Sequence, residues 1–335
     1  MPAPRTPPAT LVPPAPPRAP VVPAAPAAPA AARPPRRRWL RSRTGPYLLL
    51  LPALVPIAVG LGYPLVRQFV LSFQEYGLAQ QFGRPAEWVG LDNYTTLLTD
   101  PYVWGVIGRS IAFCLVNAGL TMVVGVALAV LMTRVGRFAR TTLQIGLLLA
   151  WGTPVLATMT VWQWLFDSQY GVVNWLLAEP LGFEGMRHHS WIIEPLSFYL
   201  LATLIVVWMS VPFVVFSVYA GLLQVPEETL QAAELDGAGA WQRLRYISLP
   251  LVRPVLLIVG LLQVIWDLRV FTQIYVLQQA GGVTRDTNLL GTYIYRLGIG
   301  GGDFGTAAAV AMFMLALTVI LTAPYVFTTL KAERE

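Results

Sequence analysis

Six long apolar runs, near residues 46–70, 106–133, 142–166, 196–223, 254–278 and 305–330, alternate with shorter polar stretches along the chain. The runs are continuous and lack the two-residue alternation of a membrane β-barrel strand. About twenty apolar residues rising 1.5 Å each cross roughly 30 Å of hydrocarbon, so each run predicts one spanning helix. The pattern therefore predicts an all-α, polytopic membrane protein with six transmembrane helices. Pro52, Pro56, Gly60, Gly62, Pro64, Pro154 and Pro212 fall inside these runs and mark kinks or close helix contacts.

Composition agrees with a bilayer setting. The 335 residues are 56% hydrophobic and only 12% charged, against about 25% charged in soluble domains, whose whole surface faces water. The net charge of +6 is unevenly spread, and its distribution argues against a nucleic-acid partner. Arg33, Arg36, Arg37, Arg38, Arg41 and Arg43 crowd the start of the first run. With that cluster on the cytoplasmic side, alternation of the spans puts 16 basic residues inside and 6 outside. This satisfies the positive-inside rule and predicts that both termini are cytoplasmic in a bacterial inner membrane. Residues 1–44 are rich in proline and alanine, have no apolar signal-peptide core and read as a disordered tail. The span-bearing domain then covers 45–335, with a polar loop at 224–252.

Catalytic classes find little support. The single cysteine, Cys114, sits in an apolar run, which excludes an intramolecular disulfide or a multi-cysteine metal site and suits packing. His188 and His189 are adjacent, so no HExxH zinc pair exists, and no metal ligands or catalytic residues are assigned. Lys331 is the only lysine, which rules out a GxxxxGK[ST] phosphate loop. A secondary transporter remains an alternative, but repeated halves and midplane polar residues are not evident.

The 224–252 loop carries the most information. Pro226, Glu227 and Glu228 suit a helix N-terminus. Gly237 and Gly239 allow a reversal, and Trp241, Leu244 and Ile247 or Ser248 recur at helical spacing up to Pro250, which is expected to stop the second arm. A simple connector needs only a few residues, so this loop reads as a docking element. Ala232, Ala233 and Ala238 keep its surface small enough for another backbone to approach.

Gln231-Ala232-Ala233-Glu234-x-Asp236-Gly237-Ala238, followed by Ile247-x-Leu249-Pro250, resembles the EAA loop of ABC importer permeases. In that family the loop is a coupling helix that seats in the ATPase. Gln231 stands where the family has its leading glutamate, which removes a salt bridge there and leaves a hydrogen bond. Trp88-Val-Gly90-Leu-Asp92-Asn93-Tyr94 through Asp100, Pro154 with Val161–Asp167, Gly171 and Asn174, and Asp267–Leu277 with Gly281, Gly282 and Thr287 are similar to segments of the carbohydrate-uptake branch. The resemblance spans about residues 45–330. It implies a sugar or oligosaccharide importer working with a second permease as a heterodimer, a dimeric cytoplasmic ATPase and an extracytoplasmic solute-binding protein. ATP and Mg²⁺ would be bound by that ATPase, with no cofactor in this chain. A permease for a non-sugar solute is the alternative.

Within the fifth run, Asp267 and Arg269 are intramembrane charges, which cost about 2.5–3.5 kcal/mol even on lenient scales and so face a bundle interior or wet cavity. On a continuous helix Gln263, Trp266, Asp267 and Val270 share one face, with Arg269 and Gln273 beside it. An aromatic among amides and charges suits a sugar. Together with Trp208 and Ser210 these residues are candidates for the solute path; an internal ion pair or a gate contact with the partner permease is the competing reading.

Overall fold

The computed structural model describes residues 45–332, with side chains described over 49–328. The tail 1–44 with its arginine cluster, and Arg334, lie outside the described residues. Helix α1 (Gly45–Ile57) carries Pro52 and Pro56. A π-turn (Ala58–Gly62) then leads into α2 (Tyr63–Leu71). Proline removes backbone donors from the helical ladder, and such irregular turns follow. Leu49–Leu71 is long and apolar enough to cross a membrane.

Beyond α2, a two-residue hairpin pairs β1 (Gln74–Glu75) with β2 (Glu87–Trp88) antiparallel, Gln74 opposite Trp88, around the short α3 (Leu78–Gln81). Helix α4 (Asp92–Thr99) follows. Asn93 donates to the carbonyls of Ser72 and Gln74, both at 3.0 Å, and the Tyr94 hydroxyl donates to Ser72 Oγ at 2.7 Å. The Asn93-Tyr94 pair thus fastens the hairpin.

Helix α5 (Pro101–Arg134) opens with Pro101 at its first position, and Asp100 Oδ1 accepts from the Tyr102 amide at 2.8 Å. It stops where Val135 turns extended before Gly136. Helix α9 (Pro195–Leu222) begins likewise on a proline and packs along α5. Between them the third run is not one helix. It divides into α6 (Arg137–Gly152) and α7 (Val155–Leu165), bent by 104° at the break. Thr153, forced out of the α region by the following Pro154, is extended at ψ 127°. The run expected as one straight span is thus a bent pair, which makes six crossings if the pair counts as one broken span and five if it is a re-entrant loop, and the kink expected at Pro154 is present. Helix α8 (Val172–Ala178) and a polar loop complete this side.

After α9 come α10 (Glu227–Leu235), α11 (Ala240–Arg243), a π-turn (Leu244–Ser248) and α12 (Leu249–Leu251). Pro250 sits in the first turn of α12, where its missing amide costs nothing; the chain leaves helical geometry only at Val252 (φ −89°, ψ 4°). The expectation that Pro250 stops the second arm is therefore wrong. The fifth run is also divided, into α13 (Arg253–Leu268) and α14 (Thr272–Gln279). The chain ends with α15 (Thr284–Thr287), α16 (Leu290–Tyr295) and α17 (Phe304–Ala332), the last carrying the sixth span.

Met159, Phe198, Leu201, Ile205, Ile274 and Leu277 form one core between α7, α9 and α14. Met132, Val214, Val215, Val218 and Val259 form another between α5, α9 and α13. In hydrocarbon, burial against protein is no drier than burial against lipid, so close packing holds such helices together. Gly125 makes one such approach between α5 and α9: a Cβ there would lie 2.5 Å from Val214 Cγ1.

Candidate functional site

The break between α13 and α14 opens a cavity. Arg269 (φ −99°, ψ 11°) and Phe271 (φ −128°, ψ −60°) depart from helical geometry, and helix resumes at Thr272. Irregular backbone at membrane depth persists where it lines a cavity or is enclosed by protein. A space of about 430 Å³ lies there, lined by Trp266, Asp267, Arg269 and Gln273 together with Trp151 of α6 and Met209, Ser210 and Phe213 of α9. The Trp266 and Phe213 rings meet edge to face at 4.9 Å between centroids, and Trp151 stands 6.3 Å from Phe213. Aromatic rings thus share the cavity with amide, hydroxyl and charged groups.

Of the sequence-predicted path residues, Trp266, Asp267, Arg269, Val270, Gln273 and Ser210 meet in this cavity. Trp208 does not: it lines a separate apolar space of about 700 Å³ with Trp162, Leu147 and Val207. Gln263 also stands apart, fully buried with neither amide atom hydrogen-bonded. Because α13 ends at Leu268, the continuous helix on which the two adjoining faces were expected is interrupted, yet Val270 and Gln273 still line the cavity with Trp266. The ion-pair reading fails as well, since neither ion pair among the described residues involves Asp267 or Arg269. Asp267 is 2% exposed and its Oδ2 has no hydrogen-bond partner. Sequence reasoning missed Trp151, Met209 and Phe213; the signal available was the spacing of Val206, Met209, Ser210 and Phe213, one stripe of α9.

The 224–252 segment is a helical hairpin. Helix α10 ends on Asp236, and Gly237 takes φ +84°. The Ala238 amide donates to the Ala233 carbonyl at 2.9 Å, and the Gly237 amide to Glu234 at 3.0 Å. This is a Schellman reversal, which needs a left-handed residue after the cap. Glu234 and Arg243 pair across the two arms. Gln231 Nε2 donates to Glu227 Oε1 at 3.3 Å, one turn earlier on the same helix. Ala232 is exposed and Ala233 and Ala238 half-buried. Leu249 faces a space of about 600 Å³ beside Trp241, Leu244 and the Met122–Val130 stretch of α5, while Pro250 is exposed. Apolar side chains at the reversal project outward: Leu235 is 89% exposed and Tyr246 72%. Neither was singled out from the sequence, since an isolated leucine or tyrosine gives no signal of its own exposure.

Residues 121–329, more than half of the chain, match the family model described as the binding-protein-dependent transport system inner membrane component. The chain belongs to that family. The match takes in the hairpin and the cavity at the α13–α14 break. The permease is 44% identical to the diacetylchitobiose uptake system permease protein DasB of Streptomyces coelicolor, over 88% of this chain and 90% of that one. It is 31% identical to the sulfoquinovosyl glycerol transport system permease protein SmoG of Agrobacterium fabrum, over 86% and 92%. Its fold matches a chain of the bacterial alginate ABC transporter, solved in complex with an alginate pentasaccharide-bound periplasmic protein, with a TM-score of 0.72 at 21% identity over 87% of this chain and 93% of that one. It is thus an ABC-transporter permease, a membrane component of a transport system.

Proposed function

We propose that this permease carries a sugar or oligosaccharide inward across the cytoplasmic membrane, paired with a second permease and driven by a separate dimeric ATPase. An extracytoplasmic binding protein delivers the cargo, and both termini face the cytoplasm. The observation that carries the reading is the cavity at the α13–α14 break. Its aromatic side chains Trp266, Phe213 and Trp151 line it together with Asp267, Ser210 and Gln273, the combination that a sugar's apolar ring faces and hydroxyls require. The names of the relatives, which specify diacetylchitobiose and sulfoquinovosyl glycerol uptake, support a carbohydrate over another solute. Arg269 at the same cavity supplies a fixed donor fork for hydroxyl or acidic oxygens.

The α10–α11 hairpin is the coupling element in this reading. Its exposed Leu235 and Tyr246, with small Ala232, Ala233 and Ala238 between, present a compact apolar surface for a groove on the ATPase. Gln231, Glu234, Asp236 and Gly237 shape that surface; Leu249 and Pro250 join it to α13.

The test is saccharide uptake by the reconstituted importer carrying Trp266→Ala or Gln273→Ala. Each variant is expected to lower uptake at least about tenfold, the loss of one stacked ring or one hydrogen-bonding group from a polar site, while assembly and basal ATP hydrolysis persist. Unchanged uptake kinetics in both variants would remove the cavity from the path.

A further inference from the structure

A second cavity, of about 300 Å³, lies at the end of the bundle opposite the hairpin. Its lining comes from the end of α7 and the turn after it (Gln163, Phe166, Asp167, Ser168) and from Ser190 and Trp191 of the loop before α9, over an apolar floor that includes Leu201 and Leu277. The two cavities stand in series along the same helices. Gln273 of α14 lines the first and Leu277 the second, and four helical residues rise only about 6 Å.

The free polar groups here are mostly acceptors. Asp167 Oδ1 takes the amides of Gln169 and Tyr170, each at 2.8 Å, leaving Oδ2. The Tyr170 amide, then the Gln169 amide, hold this carboxyl below the usual carboxylate range, so it is an anion at neutral pH. Gln163 Nε2 is spent on the Val276 carbonyl at 3.3 Å, leaving Oε1. Trp191 Nε1 is spent on Asn174 Oδ1 at 2.6 Å. The hydroxyls of Ser168 and Ser190 bond to no described residue. The Phe166 and Trp191 rings stand edge to face at 5.2 Å, and Phe166 stacks on Trp162 at 5.6 Å, so the aromatic part is rigid. A carboxylate, an amide oxygen and two hydroxyls beside fixed aromatic rings call for a ligand rich in hydroxyl donors with an apolar face.

We infer that this pocket is an entry subsite that holds one ring of the saccharide before it reaches the cavity at the α13–α14 break. The inference rests on the carbohydrate reading above and adds a second, outward-facing contact that the cargo makes on its way in. Asp167 Oδ2 and Gln163 Oε1 accept from vicinal hydroxyls, Ser168 and Ser190 donate or accept as the sugar requires, and the rings of Phe166 and Trp191 cover its apolar face.

Cysteine protection tests it, because the only native cysteine, Cys114, is fully buried. Ser190→Cys and Ser168→Cys are placed in the complete importer in proteoliposomes, and their modification by a membrane-impermeant maleimide is timed without the binding protein. Diacetylchitobiose, maltose, trehalose and choline are the probes, and uptake of each saccharide is measured in parallel. A transported saccharide at three times its Kd is expected to slow both thiols about fourfold by mass action. Tyr170→Cys, at a position 80% exposed and outside the pocket, is expected to react at an unchanged rate. Asp167→Asn, which keeps the two amide contacts within reach, should raise the Kd at this pocket roughly tenfold by removing a charged acceptor, so that the same saccharide concentration slows the thiols only about 1.3-fold. Uptake without protection overturns the subsite and leaves the carbohydrate reading standing. Protection by choline alone, or only when the binding protein is added, overturns it as well, the first pointing to a cation and the second to simple coverage. Absence of uptake for every saccharide removes the carbohydrate reading and the subsite with it.

Discussion

A methyl group at Gly125 would meet the Cβ of Val214 at 2.6 Å, in the middle of the α5–α9 contact. Val214 is β-branched and fully buried, so it cannot swing aside. Gly125→Ala should therefore destabilise the permease by about 1–3 kcal/mol, the usual cost of overpacking. Gly146→Ala, where nothing lies within 4 Å, should leave the thermal midpoint in detergent where it was, and Val214→Ala should restore the Gly125→Ala protein. Asp267 poses the opposite case. Its buried Oδ2 lacks a partner, and an intramembrane carboxylate costs about 2.5–3.5 kcal/mol. Asp267→Asn should thus raise the thermal midpoint or leave it unchanged while saccharide uptake falls. A large drop in midpoint would mean that the assembled importer supplies a cation to this group. That these residues mattered was only partly legible: Asp267 stood out as a charge in an apolar run, whereas nothing local marks Gly125, whose constraint comes from a residue 89 positions away in sequence.

At the scale of elements, sequence signals succeeded where the cause is local. Pro154 bars Thr153 from the helix and produces the 104° bend, and Gly237 supplies the left-handed residue of the hairpin. The break after Leu268 has no such mark, for Arg269, Val270 and Phe271 are not helix breakers. Packing contacts, local and distant, accompany it. The Phe271 ring sits 5.3 Å from both Tyr275 and Tyr295, and a Cβ on Gly291 would lie 3.3 Å from the Val270 carbonyl. The hairpin gives the prediction at this scale. Gly237→Val forces a β-branched side chain into φ +84°, at a cost of about 1–2 kcal/mol. Because Leu235 and its neighbours are exposed, the strain is relieved by local rearrangement and the thermal midpoint should move little. ATP-driven uptake should fall at least tenfold if the reversal shapes the ATPase-docking surface, about the 1.4 kcal/mol that separates a fitted from a distorted contact. Uptake equal to the parent would separate the hairpin from coupling.

For the whole molecule, the six-run pattern and the asymmetric charge together predicted a topology whose sidedness rests on where the charges fall. Arg140 donates to the Met132 and Val135 carbonyls at 2.9 and 3.1 Å, closing the C-terminal end of α5 where a cation is favoured. Arg137 and Arg134 flank it, and the hairpin follows directly on the C-terminus of α9. Acidic Asp100, Asp167, Glu179, Glu194, Asp286 and Asp303 belong to the segments joining the other ends. The sidedness predicted from that asymmetry can be read with two thiols. Leu235→Cys at the hairpin reversal and Phe82→Cys in the loop after α3 replace side chains 89% and 86% exposed. An impermeant maleimide should label Phe82→Cys in right-side-out vesicles and Leu235→Cys only in inverted ones. The reverse pattern would turn the molecule over, place the α13–α14 cavity's approach on the cytoplasmic side, and make the hairpin unreachable for a cytoplasmic ATPase. Labelling of both thiols from one side would instead require an even number of crossings between residues 82 and 235, so that the bent pair α6–α7 would be a re-entrant loop and not a span.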